Sequence, residues 1–268
     1  MSVTAYVINM DRAAERWARV SARLERLGVP VVRIAACDAA TEPQAVLSRR
    51  GLTLAADGRM LRFSTADGRA YTLPEEGCFQ SHLKALERFL GSGAACAVIA
   101  EDDVIPQPDF AGVLKALAVR RGLEVVKLEA AIWSGRRAVL PVADLGGRGL
   151  VASFRASSGS ACYFVTRRGA SKLLRAAPRH FAAYDDYLCD GSAHGARVLD
   201  VAPMPVEQEK LESSVFDPHL AGFRPLSPAA RAWFAVRRLR RRLRRAWMAL
   251  AAGRFAFWRI RRAPWWSA

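Results

Sequence analysis

The amino-terminal segment reads strand, helix, strand, and that order constrains the fold more than any other feature of the chain. Val3 to Ile8 is a short apolar run rich in β-branched residues, as strands are. Asp11 then opens an amphipathic helix to about Leu27, with Trp17, Val20, Leu24 and Leu27 at helical spacing. Gly28 and Pro30 end it, and Val31 to Ile34 is a second strand. A β-α-β beginning favours an α/β fold with parallel strands. The chain has 268 residues. At ~100–200 residues per domain, that length allows one large domain or two small ones.

Further along, the pattern weakens between Thr41 and Leu73, where Asp57-Gly58 and Asp67-Gly68 suggest small hairpins. Pro74 to Leu90 reads as a helix, with Thr72 or Leu73 before it and Glu75 and Glu76 at its positive end. Ala95 to Ala100 is a buried strand by composition, and Val125 to Leu128 is another. Gly146, Gly147 and Gly149 mark a loop. Ala161 to Val165 reads as a strand leading into a helix from Arg168 to Ala176. A short helix from Tyr184 to about Gly191 and a late strand from Arg197 to Val201 follow.

Charge divides the chain in two. The net charge is +16, yet residues 1–223 carry 28 basic and 25 acidic residues, a balance of +3. From Arg224 to Ala268 there are thirteen Arg, five of the seven Trp and no acid. The basicity belongs to an appendage and not to the body, so nucleic-acid binding through the folded domain is not expected. Within the tail, Ser227-Pro228 starts a helix and Gly253 stops it. Trp233, Val236, Leu239, Leu243, Trp247 and Leu250 form an apolar stripe on that helix, with Arg over much of the rest. Such a helix suits the plane of an anionic membrane surface. No window of eighteen residues is free of charge, which argues against a membrane-spanning helix. The opening MSVTAYVINMDR lacks the basic and apolar regions of a secretory signal. Five scattered cysteines without a C-x-x-C pair fit reduced thiols. Together these features predict a cytoplasmic protein attached peripherally to a membrane.

Three short stretches carry candidate chemistry. In AVIAEDDVIPQPDF, Glu101, Asp102 and Asp103 follow a hydrophobic strand, and ligands of open α/β sheets bind at the carboxyl ends of strands. Crowded carboxylates of this kind suit Mg²⁺ or Mn²⁺ carrying a diphosphate; a solvated acidic turn is the plainer alternative. In EEGCFQSHLKALERF, Cys78 and His82 are four residues apart on one helix face, with Lys84 close by. They form either a metal or nucleophile-base pair, or a packed Cys beside a His bonded to a neighbouring strand, and the second is favoured. In AAYDDYLCDG, one of Asp185 and Asp186 suits a general base while the other caps a helix. Lys127 and Glu129 are weaker candidates and read equally as an edge-strand ion pair.

In order, YVINMDR, EEGCFQSHL, AVIAEDDV, VVKLE, SACYFVTRRGASKLL and YDDYL span residues 3 to about 206. This set resembles glycosyltransferase family 25, which includes bacterial lipopolysaccharide-biosynthesis glycosyltransferases and the collagen galactosyltransferases. The segment from Gly51 to Ala70 and the tail show no family pattern. The resemblance implies a single GT-A-like α/β domain over residues 1–223, with a mixed, mainly parallel sheet; the basic amphipathic tail over 224–268 is set apart by its composition. It implies an inverting, Mn²⁺- or Mg²⁺-dependent transfer of galactose or glucose from a UDP-sugar. The implied acceptor is a lipopolysaccharide core or another lipid-linked saccharide, at the inner face of the inner membrane. Asp103 would be the first metal ligand, with Glu101 facing the metal or the ribose. Asp102 joins the nucleotide site with Val7, Asn9 and Arg12, and Lys84 would reach a phosphate. Asp186 or Asp185 would be the base. The alternatives are a non-enzymatic membrane- or nucleic-acid-binding protein acting through its tail, and a metal-dependent phosphoester hydrolase. Four scattered His offer the hydrolase few ligands.

Overall fold

The β-α-β beginning is realised as β1 (Ala5–Asn9), α1 (Ala14–Arg26) and β2 (Val31–Ala35), with β1 and β2 parallel. The computed structural model describes residues 3–54, 64, 68–129, 139–153, 158–209 and 228–253. Next come α2 (Pro43–Ser48), α3 (Leu73–Gly91), β3 (Cys96–Glu101), β4 (Val104–Pro106) and α4 (Phe110–Ala118). They are followed by β5 (Val125–Lys127), β6 (Val139–Asp144), β7 (Gly149–Ser153), β8 (Cys162–Thr166) and α5 (Arg167–Ala176). The remainder is α6 (Tyr184–Cys189), α7 (Gly191–His194), β9 (Val198–Ala202), β10 (Val206–Gln208) and α8 (Pro228–Gly253).

Eight strands form one sheet in the order β2-β1-β3-β8-β5-β9-β7-β6. From the pairings, β2, β1, β3, β5, β9 and β6 run one way, and β8 and β7 run against them. The sheet is therefore mixed, with six of its eight strands in one direction. A separate antiparallel ribbon joins β4 to β10.

Alternation along the strands sorts side chains into two layers. Val7, Val98, Ala100, Val126 and Phe164 face one core with Val20, Leu24 and Leu114 from α1 and α4. Tyr6, Ile8, Ile99, Val125 and Tyr163 face the other, with Phe79, Leu86, Leu173 and Tyr187 from α3, α5 and α6. The carboxyl ends of β1, β2 and β3 lie together at one end of this second layer, beside α3.

Helix α3 starts where the sequence predicts. Thr72 Oγ1 accepts from the Glu75 amide at 3.4 Å, and Glu75 Oε2 accepts from the Thr72 amide at 2.9 Å, a reciprocal cap. Helix α1 begins later than expected: Ala13 is its cap, and Asp11 instead pairs with Arg33 at 2.7 Å. Several elements have no counterpart in the sequence reading. The glycine-marked loop turns out to be the turn of a hairpin, with β6 and β7 antiparallel on either side. Lys127 and Glu129 are not on an edge: β5 lies between β8 and β9, and both side chains are buried. Asp57-Gly58 and Asp67 lie outside the described residues, as does the expected boundary at 223/224.

Helix α8 follows the predicted range. Its Phe234 is buried, and a Cβ added to Gly68 would collide with that ring. Trp233, Val236, Leu239, Leu243 and Trp247 are all more than half exposed or at half exposure, between 50% and 68%. No helix among the described residues is long and apolar enough to cross a membrane.

Candidate active site

A cleft lies at the carboxyl ends of β1, β2 and β3, with about 740 Å³ of space that includes its solvent-filled mouth. Asn9, Arg12, Arg16, Cys78, Glu101 and Asp102 are among its walls. The wall formed by α3 approaches the loop after β2 closely. A Cβ at Gly77 would sit 2.6 Å from the Cys37 carbonyl oxygen, so only glycine permits this approach. Ser81 Oγ closes the seam, accepting from the Cys37 amide at 2.8 Å and donating to the Gly77 carbonyl at 2.7 Å.

The three consecutive acids fan apart. Glu101, on the same face of β3 as Ile99, points toward α3, where its Oε1 lies 3.4 Å from His82 Nε2 and accepts from Ser160 Oγ at 3.3 Å. Asp102 turns toward β1 and α1. It accepts from Asn9 Nδ2 at 2.7 Å and pairs with Arg16. Asp103 turns toward β10 and accepts from Gln208 Nε2 at 2.9 Å; its Oδ1 is buried without a hydrogen-bond partner. Burial, and after it the Glu101 charge, pushes Asp103 up to about 7, against the Gln208 hydrogen bond and Arg16. Burial also works to raise Glu101, but the hydrogen bonds and charge of His82, with Ser160 and Arg16, hold it below the usual carboxylate range.

The other expected residues are distributed as follows. Asn9 lines the cleft, but its amide is occupied by the protein: Nδ2 also donates to the Ala13 carbonyl at 2.9 Å, and Oδ1 accepts from Arg33 Nε at 2.8 Å. It therefore orients Asp102. Arg12 lines the cleft, pairs with Asp38 and stays half exposed. Val7 is fully buried in the α1/α4 core; strand alternation gives the cleft position to Ile8 instead. Lys84 Nζ donates to the Ala35 carbonyl at 2.8 Å, tying α3 to the end of β2, and does not line the cleft. Asp103, Asp185 and Asp186 lie outside the cleft wall. Asp185 Oδ2 accepts from Ser158 Oγ at 3.0 Å, and its Oδ1 accepts from the Asp186 amide at 2.8 Å.

Beneath the cleft, the weaker candidates His82, Lys127 and Glu129 join Tyr163 and Tyr184, which the sequence did not single out. His82 is fully buried and stacks on Tyr184, with ring centroids 3.9 Å apart and planes 3° off parallel. Its Nδ1 lies 3.4 Å from Tyr163 Oη, which shares a 2.9 Å hydrogen bond with Tyr184 Oη. The Lys127 ammonium donates to the Ser158 carbonyl at 3.0 Å and approaches Cys189 Sγ at 3.5 Å. Glu129 Oε2 accepts from the Ala161 amide at 3.2 Å, while Oε1 has no hydrogen-bond partner. Burial pushes Glu129 up to about 7; Lys127 opposes this, and the Glu101 and Asp103 charges add to it. Burial also raises the Cys78 thiol, reinforced by the charges of Glu101, Asp185 and Glu75. The stretch 158–161 thus touches Asp185, Lys127, Glu101 and Glu129 at once. The signal that could have revealed this is period two. Lys127 and Glu129 share the face of Val125, as Glu101 shares that of Ile99.

An α/β sheet with a cleft at the carboxyl ends of its parallel strands has the geometry of a ligand-binding domain. The family described as "Glycosyltransferase family 25 (LPS biosynthesis protein)" matches residues 2–188. The chain belongs to glycosyltransferase family 25. "Probable inactive glycosyltransferase 25 family member 3" of Rattus norvegicus is 30% identical over 183 residues, covering 65% of this chain and 30% of that protein. "Inactive glycosyltransferase 25 family member 3" of Mus musculus is 30% identical over 183 residues, covering 65% and 29%. The Homo sapiens protein of the same name is 33% identical over 130 residues, covering 45% and 21%. The chain spans less than a third of the length of these relatives.

Proposed function

We propose that the chain is an active, inverting, divalent-metal-dependent hexosyltransferase using a UDP-sugar, galactose or glucose, and a saccharide acceptor. The observation that carries this reading is the pair Glu101 and Asp103 at the end of β3. Asp103 has an orphaned buried oxygen, and burial, then the Glu101 charge, disfavours its ionised form, a cost that a hard cation would offset. Of the two, Glu101 lines the cleft. Bound Mn²⁺ or Mg²⁺ would neutralise charge developing on the diphosphate leaving group. Asn9 and Arg16 hold Asp102, and Arg12 brings a half-exposed guanidinium to the rim, suited to an anionic donor. Asp186 is the first choice to take the acceptor hydroxyl proton, with Asp185 anchored beside it by Ser158. The word "inactive" in the relatives' names belongs to those proteins, and the test for this chain is direct. UDP release is measured over a panel of UDP-sugars, with and without saccharide acceptors and Mn²⁺. Metal-stimulated release with one sugar supports the reading; no release across the panel refutes it.

The exposed stripe Trp233, Val236, Leu239, Leu243 and Trp247 favours a second element of the proposal: attachment to an anionic membrane surface, where lipid-linked acceptors lie, at the cytoplasmic face of an inner membrane. The tail supplies thirteen Arg and no acid, and each basic residue near such a surface contributes ~1 kcal/mol. Because Phe234 is buried, the stripe is better tested by substitution than by truncation. Trp233→Ser, Leu239→Ser, Leu243→Ser and Trp247→Ser combined should abolish co-sedimentation with phosphatidylglycerol vesicles, and salt should weaken the unaltered chain. Equal sedimentation of both, or binding of the unaltered chain to nucleic acid but not to vesicles, overturns it.

A further inference from the structure

Cys78 and His82 stand one turn apart on α3, and Glu101 ends β3 opposite them. A sulfur, an imidazole nitrogen and a carboxylate oxygen from these three lie within 4.8 Å of one another, and all three residues line the cleft. The imidazole is held from two sides. Tyr184 stacks on its face, and Tyr163 Oη lies 3.4 Å from Nδ1. Its Nε2 is fully buried and faces Glu101 Oε1 at 3.4 Å. Nε2 and the Glu101 carboxylate thus face each other across a short gap, which either a proton on Nε2 or a cation between the two atoms can bridge. A histidine oriented through its other nitrogen is how proteins prepare a metal ligand.

We propose that Cys78, His82 and Glu101 form a binding site for a borderline-soft divalent cation of the zinc class. The set of one thiolate, one imidazole and one carboxylate matches zinc and differs from the all-oxygen sets that hold Mg²⁺ or Mn²⁺. Zinc bonds of about 2.0–2.3 Å place ligand atoms about 3.5 Å apart, so side-chain rotations of about an ångström close the set. Binding replaces the Cys78 S–H bond with a metal–sulfur bond and releases that proton to solvent. Three protein ligands leave a fourth position for water or a ligand from the cleft. The site stands independently of the transferase reading. It shares Glu101 with the proposed hard-cation pair, so the two cations compete for that carboxylate, whereas Asp103 takes no part in it.

Metal binding to the untagged, EDTA-stripped chain tests this without any substrate. The chain should take up one Zn²⁺ that resists gel filtration, and Co²⁺ should give a thiolate-to-metal charge-transfer band in the near ultraviolet. Cys78→Ser should remove the band, and Cys78→Ser and His82→Ala should each weaken Zn²⁺ binding by at least about 10-fold. Far-ultraviolet circular dichroism confirms that each variant is folded, and Asp103→Ala should keep both Zn²⁺ and the Co²⁺ band. Failure of the unaltered chain to retain Zn²⁺, a missing Co²⁺ band, or undiminished binding by folded Cys78→Ser and His82→Ala overturns the proposal.

Discussion

Replacing Glu129 by Gln should stabilise the metal-free protein, by an amount that grows from about pH 4.5 and is complete above about pH 7. The side chain is 1% exposed at the end of an interior strand, and burial pushes its carboxyl from 4.5 to about 7. Below about pH 4.5 both folded and unfolded chains hold the proton, and the carboxylate costs nothing. Between about 4.5 and about 7 the unfolded chain loses the proton and the native chain keeps it, so stability falls as pH rises. Above about 7 the whole difference applies: some 2.5 pH units at ~1.4 kcal/mol each, or roughly 3 kcal/mol as an upper figure. Gln has the same shape, keeps an oxygen for the Ala161 amide and carries no charge to bury. Urea unfolding in EDTA should therefore give near-equal midpoints for the two proteins at about pH 4.5 and a clear gain for Glu129→Gln at about pH 8. In a thermal melt at the higher pH, the gain is on the order of 5–10 °C. If Glu129→Gln is instead destabilised at the higher pH, Glu129 is an ionised partner of the buried Lys127 ammonium, and losing it strands that charge. That result would refute the reasoning.

Asp103→Asn should abolish stimulation of UDP release by Mn²⁺, measured as activity against metal concentration, while circular dichroism stays unchanged. Asp186→Asn should lower turnover ~10²–10⁴-fold with little change in UDP-sugar binding, read from single-turnover kinetics and calorimetry. If Asp185→Asn shows that loss and Asp186→Asn does not, the two exchange roles. Gly77→Ala should lose about 1–3 kcal/mol in urea unfolding, because its Cβ meets the Cys37 carbonyl at 2.6 Å and helix α3 must move off the cleft.

Local signals in the sequence were enough for the elements near the cleft. Thr72 and Glu75 announce the start of α3, and the β-branched run from Val3 announces β1. Elements with weaker periodicity, such as α4 and the β6–β7 hairpin, depend on partners far away in the chain. Helix α4 packs against β1 and β3 side chains, and β7 pairs with β9 as well as with its neighbour β6.

The site shows the same limit at higher resolution. Residue spacing placed Glu101, Asp102 and Asp103 at the end of a strand, which is where β3 ends. It also suggested one crowded cluster, because three neighbours in sequence look like neighbours in space. The pleat and the turn beyond it separate them toward α3, α1 and β10. What gathers instead comes from different strands with a common parity. Glu101, Lys127, Glu129 and Tyr163 all project from the sheet face that packs against α3 and α6, and His82 descends from α3 to meet them. Parity within each strand is readable from the alternating apolar residues beside these groups. Which strands stand side by side is not, because β8 enters antiparallel between β3 and β5 from far along the chain. A polar residue in a run such as Val125 to Glu129 therefore deserves the face of its apolar neighbours before it is read as an edge. A buried ionisable group on that face, at the strand end that opens on a cleft, costs folding free energy, which marks it as a candidate for work at the cleft.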